Sequence, residues 1–196
     1  MFIAIEGPVG IGKSSIQNLL AKHLDADVLV QSFENHPYLE LFYKDQASYR
    51  IETMMIFLFM GFHQLNHFQS NKKLTISDFI FGKYEIFARL TLTEDEFRDI
   101  FVPSYMKLKA LLPKPDLVIW LRASPITVLN RIKNRGREME QGVDPAYLTR
   151  MDNLYAEHFG TSSYNILEID ANENIVDPDS LEFITILQTI KGHLAQ

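Results

Sequence analysis

The stretch GPVGIGKSS, residues 7–15, sets glycines at 7, 10 and 12 ahead of a lysine and two serines. Its spacing is glycine, four residues, then Gly12-Lys13-Ser14, a pattern that cradles phosphate when it joins a strand to a helix. The apolar run FIAIE precedes it and IQNLLAKHL follows, so the context is the required one. The glycines let the backbone curl until several N–H groups face one anion, and the helix start adds the positive end of its dipole. Gly7, Pro8, Val9, Gly10, Ile11, Gly12, Lys13, Ser14 and Ser15 are therefore the expected nucleotide-binding residues, with Lys13 on the terminal phosphates and the Ser14 hydroxyl on Mg²⁺. An ATP- or GTP-type nucleotide is implied.

Moving a phosphoryl group onto an alcohol requires an acceptor held in line and a carboxylate to take its proton. Glu34, in SFENHPYLELFY just beyond the second apolar run, is the candidate. A lone loop glutamate is ordinarily solvated, and it is the phosphate loop that gives this one significance. Asp78 closes the third run, where an acid holds Mg²⁺ directly or through water, or else caps the next turn. In RIKNRGREMEQ, Arg131, Arg135 and Arg137 surround a helix-breaking glycine. Such cations suit a lid over the transferring phosphates, about residues 131–142, and a solvated basic face is the plain alternative. Glu52 lies in an aromatic and methionine-rich segment, where a carboxylate is expensive unless it meets donors. Guanine offers N1–H and N2–H₂ side by side, whereas adenine lacks the N1–H. An exposed helix position explains Glu52 equally.

The elements that must position these residues form one alternating pattern across the 196 residues, read as a single domain, 1–196. Five short apolar runs read as buried strands: residues 2–6, 27–33, 74–77, 116–121 and 164–169. Helical patterns cover 14–24, about 37–70, 94–112, 124–134, 145–159 and 180–194. Strand alternating with helix predicts a parallel sheet covered on both faces, with ligands at the carboxyl ends of the strands. One acidic cluster, Glu6, Glu34 and Asp78, is expected to face the phosphate loop. With 46% hydrophobic and 22% charged residues the chain reads as a soluble globular protein, and no apolar run reaches the roughly 18 residues a membrane span needs. A net charge of −6 argues against a general nucleic-acid binder. No signal peptide is evident at the start, and the absence of cysteine fits a reducing cytoplasm.

FIAIEGPVGIGKSS, ENHPYLELFY, SYRIET, SDFIFGKYEIFA and RIKNRGREMEQ occur in an order that resembles the deoxyribonucleoside kinase family, in particular its bacterial deoxyguanosine/deoxyadenosine kinase-like members. The resemblance implies a P-loop NTPase-type three-layer α/β sandwich on a five-stranded parallel sheet, a homodimer, and ATP- and Mg²⁺-dependent phosphorylation of a deoxynucleoside 5′-hydroxyl, a nucleotide-salvage reaction. It makes Glu34 the base, gives the 3′-hydroxyl to Tyr43 and Glu140, sets Glu52 where many members carry a base-reading glutamine, and makes the three arginines lid cations. Deoxyguanosine is then the favoured acceptor and deoxyadenosine the next. Two departures stand out. The run after the third strand is Asp78-Phe79-Ile80, without the family's arginine, which leaves Lys83 or a lid arginine to substitute. No arginine falls between Arg50 and Arg89, where many members place one that helps read the base. The competing readings are a nucleoside monophosphate kinase, whose charged acceptor Glu34 and Glu52 would repel, and a nucleotide switch or silent subunit. Against the switch, the chain has no Asn-Lys-x-Asp; against a silent subunit, it retains Lys13 and Glu34.

Overall fold

The computed structural model describes residues 1–33, 35–136 and 142–195. FIAIE forms β1 (Phe2–Glu6), and the other strands are β2 (Asp27–Leu29), β3 (Thr75–Ser77), β4 (Leu117–Arg122) and β5 (Ile166–Asp170). They pair in the order β2-β3-β1-β4-β5, every neighbour parallel, which is the five-stranded α/β sheet expected of a P-loop NTPase-type fold.

The chain divides into two units, the first made of Met1–Val30, Ser70–Ile80 and Lys114–Gln196. This unit carries the sheet with α1 (Lys13–Leu24), α7 (Pro125–Arg135), α8 (Pro145–Thr161) and α9 (Leu181–Leu194). Parallel neighbours need right-handed crossovers. The connection through α1 runs from β1 toward the β2 edge, and the one through α7 and α8 runs from β4 to β5, in the opposite direction. α8 lies against the residues Glu6 and Trp120, through Tyr155 and Phe159, whereas Ile16 and Leu20 of α1 and Val128 and Ile132 of α7 share one core cluster with Ile3, Ile5 and Ile119. Trp120, paired in register with Glu6, meets Phe159 of α8, while His23 of α1 meets Phe183 of α9. Ile3, Ile5, Ile16, Leu20, Ile76 and Ile119 lie at the centre of the resulting core. Gln17 is fully buried in α1 and its Nε2 donates to the carbonyls of Leu29 (3.0 Å) and Ile76 (2.8 Å), tying the helix to the ends of β2 and β3.

The second unit comprises Gln31–Gln69 and Phe81–Pro113. It holds α2 (Leu39–Lys44), α3 (Gln46–His67), α4 (Lys83–Thr91), the short α5 (Glu94–Glu96), a π-helical turn at Phe97–Phe101, and α6 (Val102–Lys109). Stacked rings of Phe81, Tyr105 and Phe101 fill it, with centroids 5.4 and 5.8 Å apart.

Four expectations are corrected. The second strand stops at Leu29 rather than residue 33, because β2 is an edge strand and its sole neighbour in the sheet, β3, is three residues long. The helix expected over 37–70 is two helices, broken at Asp45, whose extended backbone (φ −147°) lets its carboxylate accept from the Ser48 N–H and cap α3. The 94–112 helix widens at Phe97–Phe101, ahead of Pro103, which has no N–H to donate and would crowd the Asp99 carbonyl in a regular turn. Finally, α4 has no counterpart in the periodicity reading: its buried residues, Lys83, Tyr84, Ile86 and Ala88, include a charge where an apolar stripe would be sought.

Candidate active site

In the first unit the phosphate loop is built on the end of β1. Glu6 is fully buried, and its Oε2 accepts from the Gly7 N–H (3.0 Å) and the Tyr155 hydroxyl (3.3 Å). Tyr155 also donates to the Gly7 carbonyl at 3.2 Å. Burial, reinforced by the charge of Glu6, pushes the Tyr155 hydroxyl well above its ordinary pKa, so it stays protonated and keeps donating. Gly7 (φ +148°) passes so near β4 that a Cβ would lie 2.5 Å from the Leu121 carbonyl oxygen. At Gly10 (φ +81°) a Cβ would lie 2.5 Å from Ile132 of α7, so both close approach and backbone conformation demand glycine.

Lys13 opens α1, and its ammonium donates to the carbonyls of Gly7 (2.6 Å) and Pro8 (3.0 Å), inside the curl of the loop. One residue on, Ser14 Oγ donates to Asp78 Oδ2 at 3.0 Å. Asp78 is buried just past β3, and its N–H donates to the Leu29 carbonyl at the end of β2. The loop after β1, the end of β2 and the first residue after β3 thus meet at the carboxyl ends of these parallel strands. Asp78 does not cap the next helix, since α4 begins at Lys83 behind Gly82.

Arg131 lies on α7 with its guanidinium on backbone carbonyls: Ile11 of the phosphate loop (3.2 Å), Ala171 (2.7 Å), Asn172 (3.4 Å) and Glu173 (2.8 Å). It therefore ties the phosphate loop to the segment that follows β5. Arg135 is the last residue of α7, exposed, four positions along the same helix. Gly136 ends the helix at φ +69°. Glu34, Arg137 and Glu140 lie outside the described residues.

In the second unit, Tyr43 is a half-exposed residue of α2 and Glu52 is exposed on α3. Exposure removes the desolvation cost on which Glu52 was singled out; only its capacity to accept from paired donors is left. His36 is buried, with Nδ1 accepting from the Tyr38 N–H (3.2 Å). Its Nε2 must then carry the hydrogen and donate to the Thr53 carbonyl (3.0 Å), which fixes a neutral tautomer and pins the loop entering α2 to α3. Lys83, buried at the first position of α4, donates to Gln31 Oε1, and Gln31 Nε2 donates to the Tyr84 hydroxyl at 3.1 Å. Sequence reasoning missed His36, Gln31 and Tyr155 as positioning residues, because their hydrogen-bond partners lie 17, 53 and up to 149 residues away.

A family profile described as deoxynucleoside kinase matches residues 3–194. The chain is 31% identical to a deoxyguanosine kinase of Bacillus subtilis (strain 168) over 189 residues, covering 93% of this chain and 89% of that one. It is 28% identical to a deoxyadenosine kinase of Lactobacillus acidophilus over 209 residues, covering 99% and 93%. Among solved structures, deoxyadenosine kinase from M. mycoides with bound dATP superposes with a TM-score of 0.80 at 26% identity, over the full length of both chains.

Proposed function

The chain belongs to the deoxynucleoside kinase family, and from that premise we propose that it transfers the γ-phosphoryl group of ATP to the 5′-hydroxyl of a purine deoxynucleoside, deoxyguanosine before deoxyadenosine. The observation that carries the phosphoryl-transfer reading is the Ser14–Asp78 hydrogen bond, which brings a loop hydroxyl and a buried acid together beside Lys13. Two hard oxygen donors 3.0 Å apart fit Mg²⁺, which would neutralise charge on the donor's phosphates. In this proposal residues 7–15 bind the phosphates of ATP. Glu34 takes the 5′-hydroxyl proton as the oxygen attacks, Tyr43 and Glu140 hold the 3′-hydroxyl, and Arg131, Arg135 and Arg137 close over the transferring group. Glu52 accepts from guanine N1–H and N2–H₂. Oriented groups of this kind act by positioning and charge stabilisation, which suits a transfer with little covalent work for the protein. A homodimer in a cytoplasmic salvage setting completes the proposal; for the described residues, no helix is long and apolar enough to cross a membrane.

The guanine preference is supported by the donor pattern Glu52 can accept, and the similar proteins carry both purine names. Turnover on the four deoxynucleosides, measured for the parent and for Glu52→Gln, tests it. Deoxyguanosine should be the best substrate of the parent, and the variant should lose more on deoxyguanosine than on deoxyadenosine. Faster turnover of deoxyguanosine monophosphate, or an unchanged purine ratio in the variant, would overturn the respective part.

A further inference from the structure

Lys83 is 8% exposed and stands at the first residue of α4. Among the described residues its ammonium meets one hydrogen-bond acceptor, the neutral Gln31 Oε1, and the face of Phe87 with its centroid 5.7 Å away. No described carboxylate pairs with it. An ammonium carries three donors, and burying one without an anion is among the more expensive arrangements a protein can hold. The helix adds to the expense, because the amino end of α4 is the positive end of its dipole and Gly82 offers no side-chain cap.

The arrangement is nevertheless braced. Gln31 is held oxygen-first toward Lys83 by its other amide atom, which donates to the Tyr84 hydroxyl. The Tyr84 ring in turn lies against the backbone of α3 at Gly61, where a Cβ would come within 2.2 Å of it. A rigidly held, half-satisfied buried cation is prepared for an anion that arrives with a ligand.

Resting on the function proposed above, we infer that Lys83 is a catalytic residue that binds the 5′-phosphate as it forms on the acceptor and retains it in the nucleoside monophosphate product. Both halves of the arrangement leave the carboxyl ends of neighbouring parallel strands, Gln31 two residues after β2 and Lys83 six after β3, where sheets of this kind collect ligands. The reaction supplies the missing charge. The nucleoside enters neutral; its 5′-oxygen forms a bond to the γ-phosphorus while the bond from that phosphorus to the β–γ bridging oxygen breaks. That electron pair leaves on ADP, and the hydroxyl proton passes to the Glu34 carboxylate. Lys83 distinguishes the charged product end from the uncharged starting end.

Binding of the best deoxynucleoside and of its 5′-monophosphate to the parent, Lys83→Met and Lys83→Arg tests this, together with kcat and KM. Lys83→Met should bind the monophosphate about 10- to 100-fold more weakly, the range of a charge-assisted hydrogen bond, with nucleoside affinity nearly unchanged. Its kcat should fall about 10²-fold, as when one transition-state donor is removed, and Lys83→Arg should recover much of the monophosphate affinity. Equal losses for nucleoside and monophosphate, or no loss, would mean that the lysine is structural. Should Lys83→Met not fold, Gln31→Glu serves instead: it gives the lysine an internal carboxylate and should weaken monophosphate binding selectively, and an unchanged ratio overturns the inference. A parent that phosphorylates none of the four deoxynucleosides defeats the proposed function, whereas an active parent with an unmoved ratio defeats this inference alone.

Discussion

Arg131 shows how a residue type can be singled out correctly while its neighbours decide what it does. Its spacing with Arg135 marks a cationic helix face, yet the guanidinium is committed to four backbone carbonyls, one of them in the phosphate loop. Carbonyls carry only partial charge, so this cation braces the loop without being neutralised, which is compatible with a second task during transfer. Glu34 is the residue on which the proposed chemistry turns. Glu34→Ala should lower kcat by about 10²- to 10⁴-fold, the usual contribution of a positioned general base, with a much smaller effect on nucleoside binding. Stopped turnover accompanied by an equal loss of nucleoside affinity would assign the residue to binding. His36 follows it by two positions in the chain, and its ring ties the loop to α3 through Nε2 on the Thr53 carbonyl and to the entry of α2 through Nδ1, which accepts from the Tyr38 N–H.

Individual elements owe their boundaries to single residues with a mechanical reason. Asp45 ends one helix and caps the next, and Pro103 accompanies the π-helical turn, both substitutable for little that periodicity would notice. Gly61 is the informative case inside α3. Glycine in a helix interior is about 0.5–1 kcal/mol worse than alanine, so Gly61→Ala in an open position would stabilise. Here the new Cβ would lie 2.2 Å from Tyr84, a buried ring whose hydroxyl is engaged by Gln31. Displacing it should outweigh the helical gain and leave the variant about 1–2 kcal/mol less stable. A rise in Tm for Gly61→Ala, by calorimetry or circular dichroism, would show that the ring moves aside at no cost. The same substitution should weaken binding of the monophosphate, because Tyr84 orients the Gln31 that faces Lys83.

For the molecule as a whole, the pH dependence of folding has an identifiable contributor in the second unit. Arg50 donates to both oxygens of Glu96 at 2.6 and 2.9 Å, tying α3 to the capping box that opens at Thr93. The Arg50 hydrogen bond is the largest cause holding the Glu96 carboxyl down at about 2, against an ordinary 4.5. A depressed carboxyl stabilises the fold fully above its unfolded value and loses that contribution as pH falls through the folded one. The Tm advantage of the parent over Glu96→Gln should therefore be constant near neutrality and shrink from about pH 4.5 toward pH 2; a gap that does not change over that window would reassign the stabilisation to packing. Much of the architecture was legible beforehand, since β1, the phosphate loop and α1 follow from local spacing of glycines and apolar residues, and β4, α7 and α8 fall within a residue or two of their expected ends. The hidden parts share one feature. The length of β2, the existence of α4 and the burial of Lys83 depend on partners distant in the chain. By itself the sequence determined the periodicities, the turns and which residues could carry charge or donate a proton, because those are properties of short windows. Tertiary structure alone decided which of those groups lost water and which atoms they faced, because desolvation and hydrogen bonding depend on everything that packs around a side chain.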